Sequence, residues 1–250
     1  MKKTLLLAVA TLALPIFARA QGGPAGGSGA ALTKFFGKNN TFSAKCDMKM
    51  TGEGQKEMMS GTMSYAMLDG KVRSEIDMTH VKSAQMPADA AESLKKMGMA
   101  QVVSIVRPDQ KIMHMIYPGM KSYAKMPLPS DESITNKEPK IEITKLGEET
   151  IDGHACVKNK TIITADDGTK HEAILWNATD LKDFPLQIQS SEQGMTVLMH
   201  FKDIQSTKPD AALFEPPTGY TAYDDVQKMM MSAMQQMMKD NAMKTPQVVY

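Results

Sequence analysis

Residues 41–51 read Thr-Phe-Ser-Ala-Lys-Cys-Asp-Met-Lys-Met-Thr, and their alternation is strict. Phe42, Ala44, Cys46, Met48 and Met50 fall on one face, while Ser43, Lys45, Asp47 and Lys49 fall on the other. Successive strand side chains point to opposite faces, so this period of two marks an antiparallel strand with one dry and one wet side. The rhythm returns at once. Met59, Gly61, Met63, Tyr65 and Met67 alternate with Ser60, Thr62 and Ser64, Asp69-Gly70 supplies a hairpin turn, and Val72–Met78 carries the next strand. These three segments read as a meander.

Further strands are expected at Gln101–Val106, Lys111–Tyr117, Ile141–Leu146, His154–Thr164, Lys170–Ala178, Phe184–Gln189 and Met195–Phe201. Asp166-Asp167-Gly168 would make the hairpin between 154–164 and 170–178. Pro118–Lys140, rich in Pro, Ser, Asp and Asn, reads as a loop across the sheet. Strands spaced this regularly suit a sandwich, a barrel or a strongly curved sheet, and no long linker divides them. One domain is expected.

Two segments break the period. In Pro87–Met99, Ala88, Ala91, Leu94 and Met97 recur by threes, with Pro87 suited to the first turn of a helix and Gly98 to its end. After Pro216-Pro217, residues 223–243 carry Asp224 and Asp225 where they complement a helix dipole. Val226, Met229, Met230, Met231, Ala233, Met234, Met237 and Met238 then cover an arc of roughly 200°. That is too much apolar surface to leave in water, so this helix is expected either to pack its methionines into the open side of a curled sheet or to dock on an outer edge of that sheet.

Ahead of the first strand, Lys2 and Lys3 precede an apolar run ending near Pro15 and Phe17, and Ala18-Arg19-Ala20 offers small residues at a cleavage site. This is the pattern of a secretory signal peptide over residues 1–20, cut before Gln21. The run is too short to span a bilayer, which needs roughly 20 apolar residues. No Cys follows the cleavage site, so lipidation has no acceptor. The mature chain is expected in the periplasm, with release to the medium an alternative. Residues 21–40 open with Gly, Ala, Pro and Ser and read as a flexible leader. Losing Lys2, Lys3 and Arg19 takes the net charge from +1 to −2. Nearly neutral and with its charges scattered, the chain lacks the basic patch that nucleic acid demands.

The composition holds 24 Met against one Trp, seven Phe and six Tyr. Thioether side chains are flexible and adapt to irregular surfaces, although Met also serves as ordinary core filler. Catalytic signatures are missing: the sequence has no G-x-S-x-G, H-E-x-x-H, Walker A or C-x-x-C motif, and its five His are scattered. Cys46 and Cys156 are the two cysteines; in an oxidising compartment they either bridge or remain two buried thiols. A bridge would close a loop of roughly 110 residues and contribute on the order of 4–5 kcal/mol.

Gly147-Glu148-Glu149-Thr150-Ile151-Asp152-Gly153-His154-Ala155-Cys156, followed by Asp167-Gly168 and Trp176, resembles the G-E-T-x-I-x-G-x-x-C…G…W core of an uncharacterised bacterial exported family, domain of unknown function 4412. That family is usually placed with the periplasmic lipoprotein carriers of the LolA/LolB type. Phe214-Glu215-Pro216-Pro217-Thr218-Gly219-Tyr220 is similar to the F-x-x-P-x-G-Y ending of such domains. The resemblance implies a mainly β (α+β) half-barrel over 41–221: one curved antiparallel sheet with one or two helices on its concave side, and an apolar cavity between them. Residues 222–250 would add the Met-rich helix and tail.

The resulting expectation is a non-enzymatic periplasmic binding or carrier protein for a lipid or lipoprotein acyl chain. It needs no cofactor, and its oligomeric state is left open. Met48, Met50, Met63, Tyr65, Met230, Met234 and Met237 are the candidate ligand-binding residues. One alternative is a copper handler, because thioethers select Cu(I); Met231, Met234, Met238 and His154 would be its ligands. The other is a structural or protein-interaction module whose apolar helix a partner covers.

Overall fold

The computed structural model describes residues 33–87, 89–128, 140–164, 168, 170–192 and 194–244. The expected signal peptide, the leader up to residue 32 and the 166–167 turn lie outside them. In chain order the strands are β1 (Thr41–Thr51), β2 (Glu57–Leu68), β3 (Lys71–Asp77), β4 (Lys82–Ser83), β5 (Gln101–Arg107), β6 (Ile112–Tyr117) and β7 (Ser122–Pro127). They continue with β8 (Lys140–Ile151), β9 (His154–Thr164), β10 (Lys170–Ala178), β11 (Phe184–Glu192), β12 (Met195–Gln205) and β13 (Thr221–Tyr223). The helices are α1 (Ala90–Lys96) and α2 (Val226–Lys244).

All the strands join one unclosed, curled sheet in the order β13-β7-β6-β5-β3-β2-β1-β12-β11-β10-β9-β8, with β4 paired to β2. Every pairing is antiparallel except β13 on β7. The fold is therefore mainly β, a half-barrel with helices on its concave side. Asp69 and Gly70 both take positive φ (50° and 82°), which turns β2 into β3 as a primed turn requires.

The register carries one face through the sheet. Cys46 lies opposite Met63 on β2 and Phe201 on β12, Met63 opposite Ile76, and Ile76 opposite Val102. All are buried or half-buried, and this is the concave face.

Several expectations need correction. Residues 118–140 are not all loop: Pro118-Gly119-Met120, with Lys121 at φ 46°, turns the chain into β7, which pairs with β6. Tertiary pairing overrides the turn-rich composition there. The strand beginning at Ile141 runs on to Ile151, because a bulge between Lys145 and Gly147 lets pairing with β9 continue through the glycine. Helix α1 is shorter than 87–99, and Gly98 at φ 69° ends it. Helix α2 begins at Val226, since Tyr223 is spent on the β13 pairing with Ala124.

The leader also ends sooner than expected. Residues 33–35 form a helical turn, and Phe35 and Phe36 are 7% and 1% exposed. Burying one such side chain contributes about 1.5–3 kcal/mol, enough to tie this segment to the domain.

Candidate functional site

The concave face divides into two chemically distinct ends. At one, Phe36 packs among Phe42, Tyr65, Phe184 and Phe201, with ring centroids 4.9–5.9 Å from it. Tilted and edge-on ring pairs of this kind each add about 0.5–1.5 kcal/mol beyond their buried area and hold the rings in fixed relative orientations. This end is stiff.

The other end is sulfur-rich. Of the 24 methionines, 15 gather in a single apolar cluster with Ile76, Leu94, Val102, Tyr117 and Val197. Met50, Met59, Met78, Met99, Met115 and Met229 are buried in it; the other nine, among them Met48, Met63, Met126, Met199 and Met230, are only partly covered. Met48, Met63 and Met199 sit on the concave side yet are half-exposed, so solvent reaches this end of the sheet. Burial there pushes the Tyr117 phenol up to about 12.

Two elements seat this end. Helix α1 contributes Ala90 and Leu94, and its closing turn is wedged against the turn before β7: a Cβ on Gly119 would lie 2.6 Å from the Gly98 carbonyl oxygen. Helix α2 lies against β7 and β13 and inserts Met229, with Val226 and Met230 beside it. The Tyr223 and Ser232 hydroxyls, 2.9 Å apart, tie its second turn to β13. Its arc is only partly used: Met231, Met234 and Met238 are 62%, 41% and 63% exposed. The helix docks at the β7/β13 edge, where only its first turns can reach the concave cluster.

Among the candidate ligand-binding residues, Met48, Met50, Met63 and Met230 meet in the methionine cluster. Tyr65 belongs to the aromatic end, Met234 faces solvent, and the side chain of Met237 lies outside the described set. Sequence reading missed Met115, Met126, Met195 and Met199, whose membership depends on which strand each neighbours. The three exposed methionines proposed as copper ligands ride on α2, whereas His154 stands on β9 with its Nδ1 2.7 Å from Asp180. Among the described residues, no three His, Cys, Asp or Glu side chains converge as a metal site would need.

Of the two alternatives for the cysteines, the structure has two free, buried thiols. Cys46 lies on β1 and Cys156 on β9, with β12, β11 and β10 between them. A bridge needs Cα atoms within about 7 Å and converging Cβ vectors. Burial pushes the Cys46 thiol far above its ordinary value, leaving it a small apolar filler.

The two sequence motifs turn out to be structural clasps. Glu149 accepts from Trp176 Nε1 (2.8 Å) and Lys158 Nζ (2.7 Å), and that ammonium sits 4.8 Å from the indole centroid. This locks β8, β9 and β10 on the convex side, and the Lys158 hydrogen bond holds the Glu149 carboxyl below its usual range. The segment after β12 straps the other convex half: Phe214 is fully buried among Ala66, Leu68, Val103, Ile105 and Ile116. Arg107 anchors the strap. It donates to both carboxylate oxygens of Asp109 (2.9 and 2.8 Å), to the Phe214 carbonyl (3.3 Å) and to Glu215. Beneath it lies His114, 5% exposed, its Nδ1 without a partner among the described residues.

No described helix is long and apolar enough to cross a membrane. No curated protein shows significant similarity to the chain. Among solved structures, lipoprotein LppX of Mycobacterium tuberculosis is similar at 12% identity and a TM-score of 0.39, over 72% of this chain and 97% of that one. LprF of Mycobacterium bovis follows at 12% and 0.35, over 73% and 96%. A LolA superfamily protein of Nitrosomonas europaea gives 10% and 0.37, over 74% and 96%. The model of one family, described as a domain of unknown function (DUF4412), matches residues 42–184, more than half of the chain and most of the sheet. The chain belongs to the DUF4412 family.

Proposed function

We propose that the protein is a non-enzymatic carrier or binding protein of the bacterial cell envelope, exported by its N-terminal signal and holding an acyl chain on the concave face. The observation that carries this reading is the convergence of 15 methionines at one end of the concavity, nine of them only partly covered. Flexible thioethers lining a solvent-reached hollow can close around chains of differing shape, because such contacts are non-directional. The aromatic end supplies the rigid wall against which they close.

The test is organic extraction and mass spectrometry of the full-length protein purified from the periplasm, paired with displacement of a bound apolar fluorophore by lipids. A stoichiometric acyl lipid, displaceable by the same lipid added back, is expected. Protein that carries no lipid and shows no saturable fluorophore binding would overturn the reading. Stoichiometric copper after growth in copper would favour the methionine-metal alternative instead.

A further inference from the structure

Across β2, β3 and β5 the concave face is apolar except at one level. Tyr65 on β2 lies directly opposite Ser74 on β3, and Ser74 directly opposite Ser104 on β5. Three consecutive strands therefore carry hydroxyl side chains at one level of the sheet. Above this row stands the aromatic cluster and below it the methionine cluster. On either side of it the concave positions are Met67, Val72 and Val106, or Met63, Ile76 and Val102.

None of the three hydroxyls has a hydrogen-bond partner among the described residues. Tyr65 is 3% exposed and its Oη is buried without a partner; Ser104 is 5% exposed; Ser74 is half-buried. Buried polar groups in folded proteins are nearly always satisfied, so an orphaned phenol at the centre of a core calls for a missing partner. Charge narrows what that partner is. Along the register, the concave positions of β1, β3, β5 and β6, and of β2 from Met59 to Met67, carry no ionisable cation or anion. A carboxylate or phosphate placed there would be desolvated with no counter-charge, which is prohibitive, whereas a carbonyl oxygen needs only a donated O–H.

We infer that the Tyr65–Ser74–Ser104 row is the seat for the uncharged polar group of an amphiphilic ligand, an acyl ester carbonyl. The ester accepts from the row while its hydrocarbon chain runs over the methionines. This rests on the carrier reading and sharpens it: the ligand is a neutral ester, not a free fatty acid.

The experiment uses the full-length exported protein with three probes: diphenylhexatriene as a pure hydrocarbon, a monoacylglycerol, and the fatty acid of the same chain length at pH 8. The monoacylglycerol is expected to displace diphenylhexatriene at a concentration about tenfold below that of the carboxylate. Tyr65→Phe and Ser104→Val each lower the monoacylglycerol affinity by about fivefold, the effect of one hydrogen bond, and leave that for diphenylhexatriene unchanged. Ser74→Ala, at a half-buried position that tolerates truncation, gives a smaller loss in the same direction. Equal affinity for ester and carboxylate overturns the inference while sparing the carrier reading. So does unchanged ester affinity in all three variants, the result if resident water satisfies the row. Failure of every probe, the hydrocarbon included, overturns both.

Discussion

Replacing Tyr65 by Phe should make the ligand-free protein more stable. The substitution removes one oxygen and leaves the ring where it stacks on Phe42 and Phe36, at 5.8 and 5.9 Å, and meets Phe201 edge-on at 5.5 Å. No hydrogen bond is lost among the described residues, because Oη has no partner to lose. An unsatisfied buried polar group costs about 1–3 kcal/mol, so the variant should gain a similar amount. For a domain of this size each kcal/mol moves Tm by about 2–4 °C, which gives a rise of roughly 2–12 °C by calorimetry. The sign is diagnostic, since Tyr→Phe at a satisfied phenol destabilises. Addition of a monoacylglycerol should then raise the Tm of the wild type more than that of Tyr65→Phe. A variant that melts below the wild type without ligand would refute the reasoning, for it would mean that the hydroxyl is already satisfied in the empty protein.

Thiol titration of the unreduced protein should find no reactive group in the native state and two after denaturation, since Cys46 and Cys156 are free, buried and carried on strands with three others between them. Gly119→Ala should destabilise by several kcal/mol, read by urea melts, because its methyl group would strike the Gly98 backbone, and backbone cannot swing aside. Met229→Ala, which empties a fully buried site in the methionine cluster, should cost about 2–5 kcal/mol and loosen α2, seen as faster amide exchange over 226–236. Burial lowers the His114 pKa below its ordinary 6.5, so the unfolded chain takes up a proton first as pH falls. The stability His114 lends is therefore present above about pH 6.5 and lost below it. His114→Phe should flatten that slope in urea melts between pH 7 and 5.

The β1–β3 meander could be read residue by residue because its faces differ so sharply in polarity. Strand β7 could not: Ser122–Pro127 carries lysine, serine and proline, and only pairing with β6 makes it a strand. The aromatic end escaped notice for a related reason. Phe36, Phe42, Tyr65, Phe184 and Phe201 are brought together from five separate segments, and no spacing in the sequence announces it. The methionine excess was visible but its meaning was not, since a list of positions cannot show that 15 of them share one space. The arc on α2 misled in the other direction. Helical periodicity correctly gave a wide apolar face, yet the edge on which the helix lands covers only part of it. Whether a face is used depends on the width of what it meets.

Among the described residues the edge strands of the sheet are β8 on one side and β13 on the other. In a closed barrel the strand number and stagger together determine the diameter, and widening it means breaking a ladder. An open sheet has no such constraint. Adjacent strands tolerate a broad range of twist, and a few degrees at each of the eleven junctions between β13 and β8 sum to a large change in curl. The span between the two lips of the hollow is thus a soft coordinate of the scaffold, adjustable without giving up a single backbone hydrogen bond. Occupants of different girth could be gripped by flexing the wall as much as by rearranging its side chains.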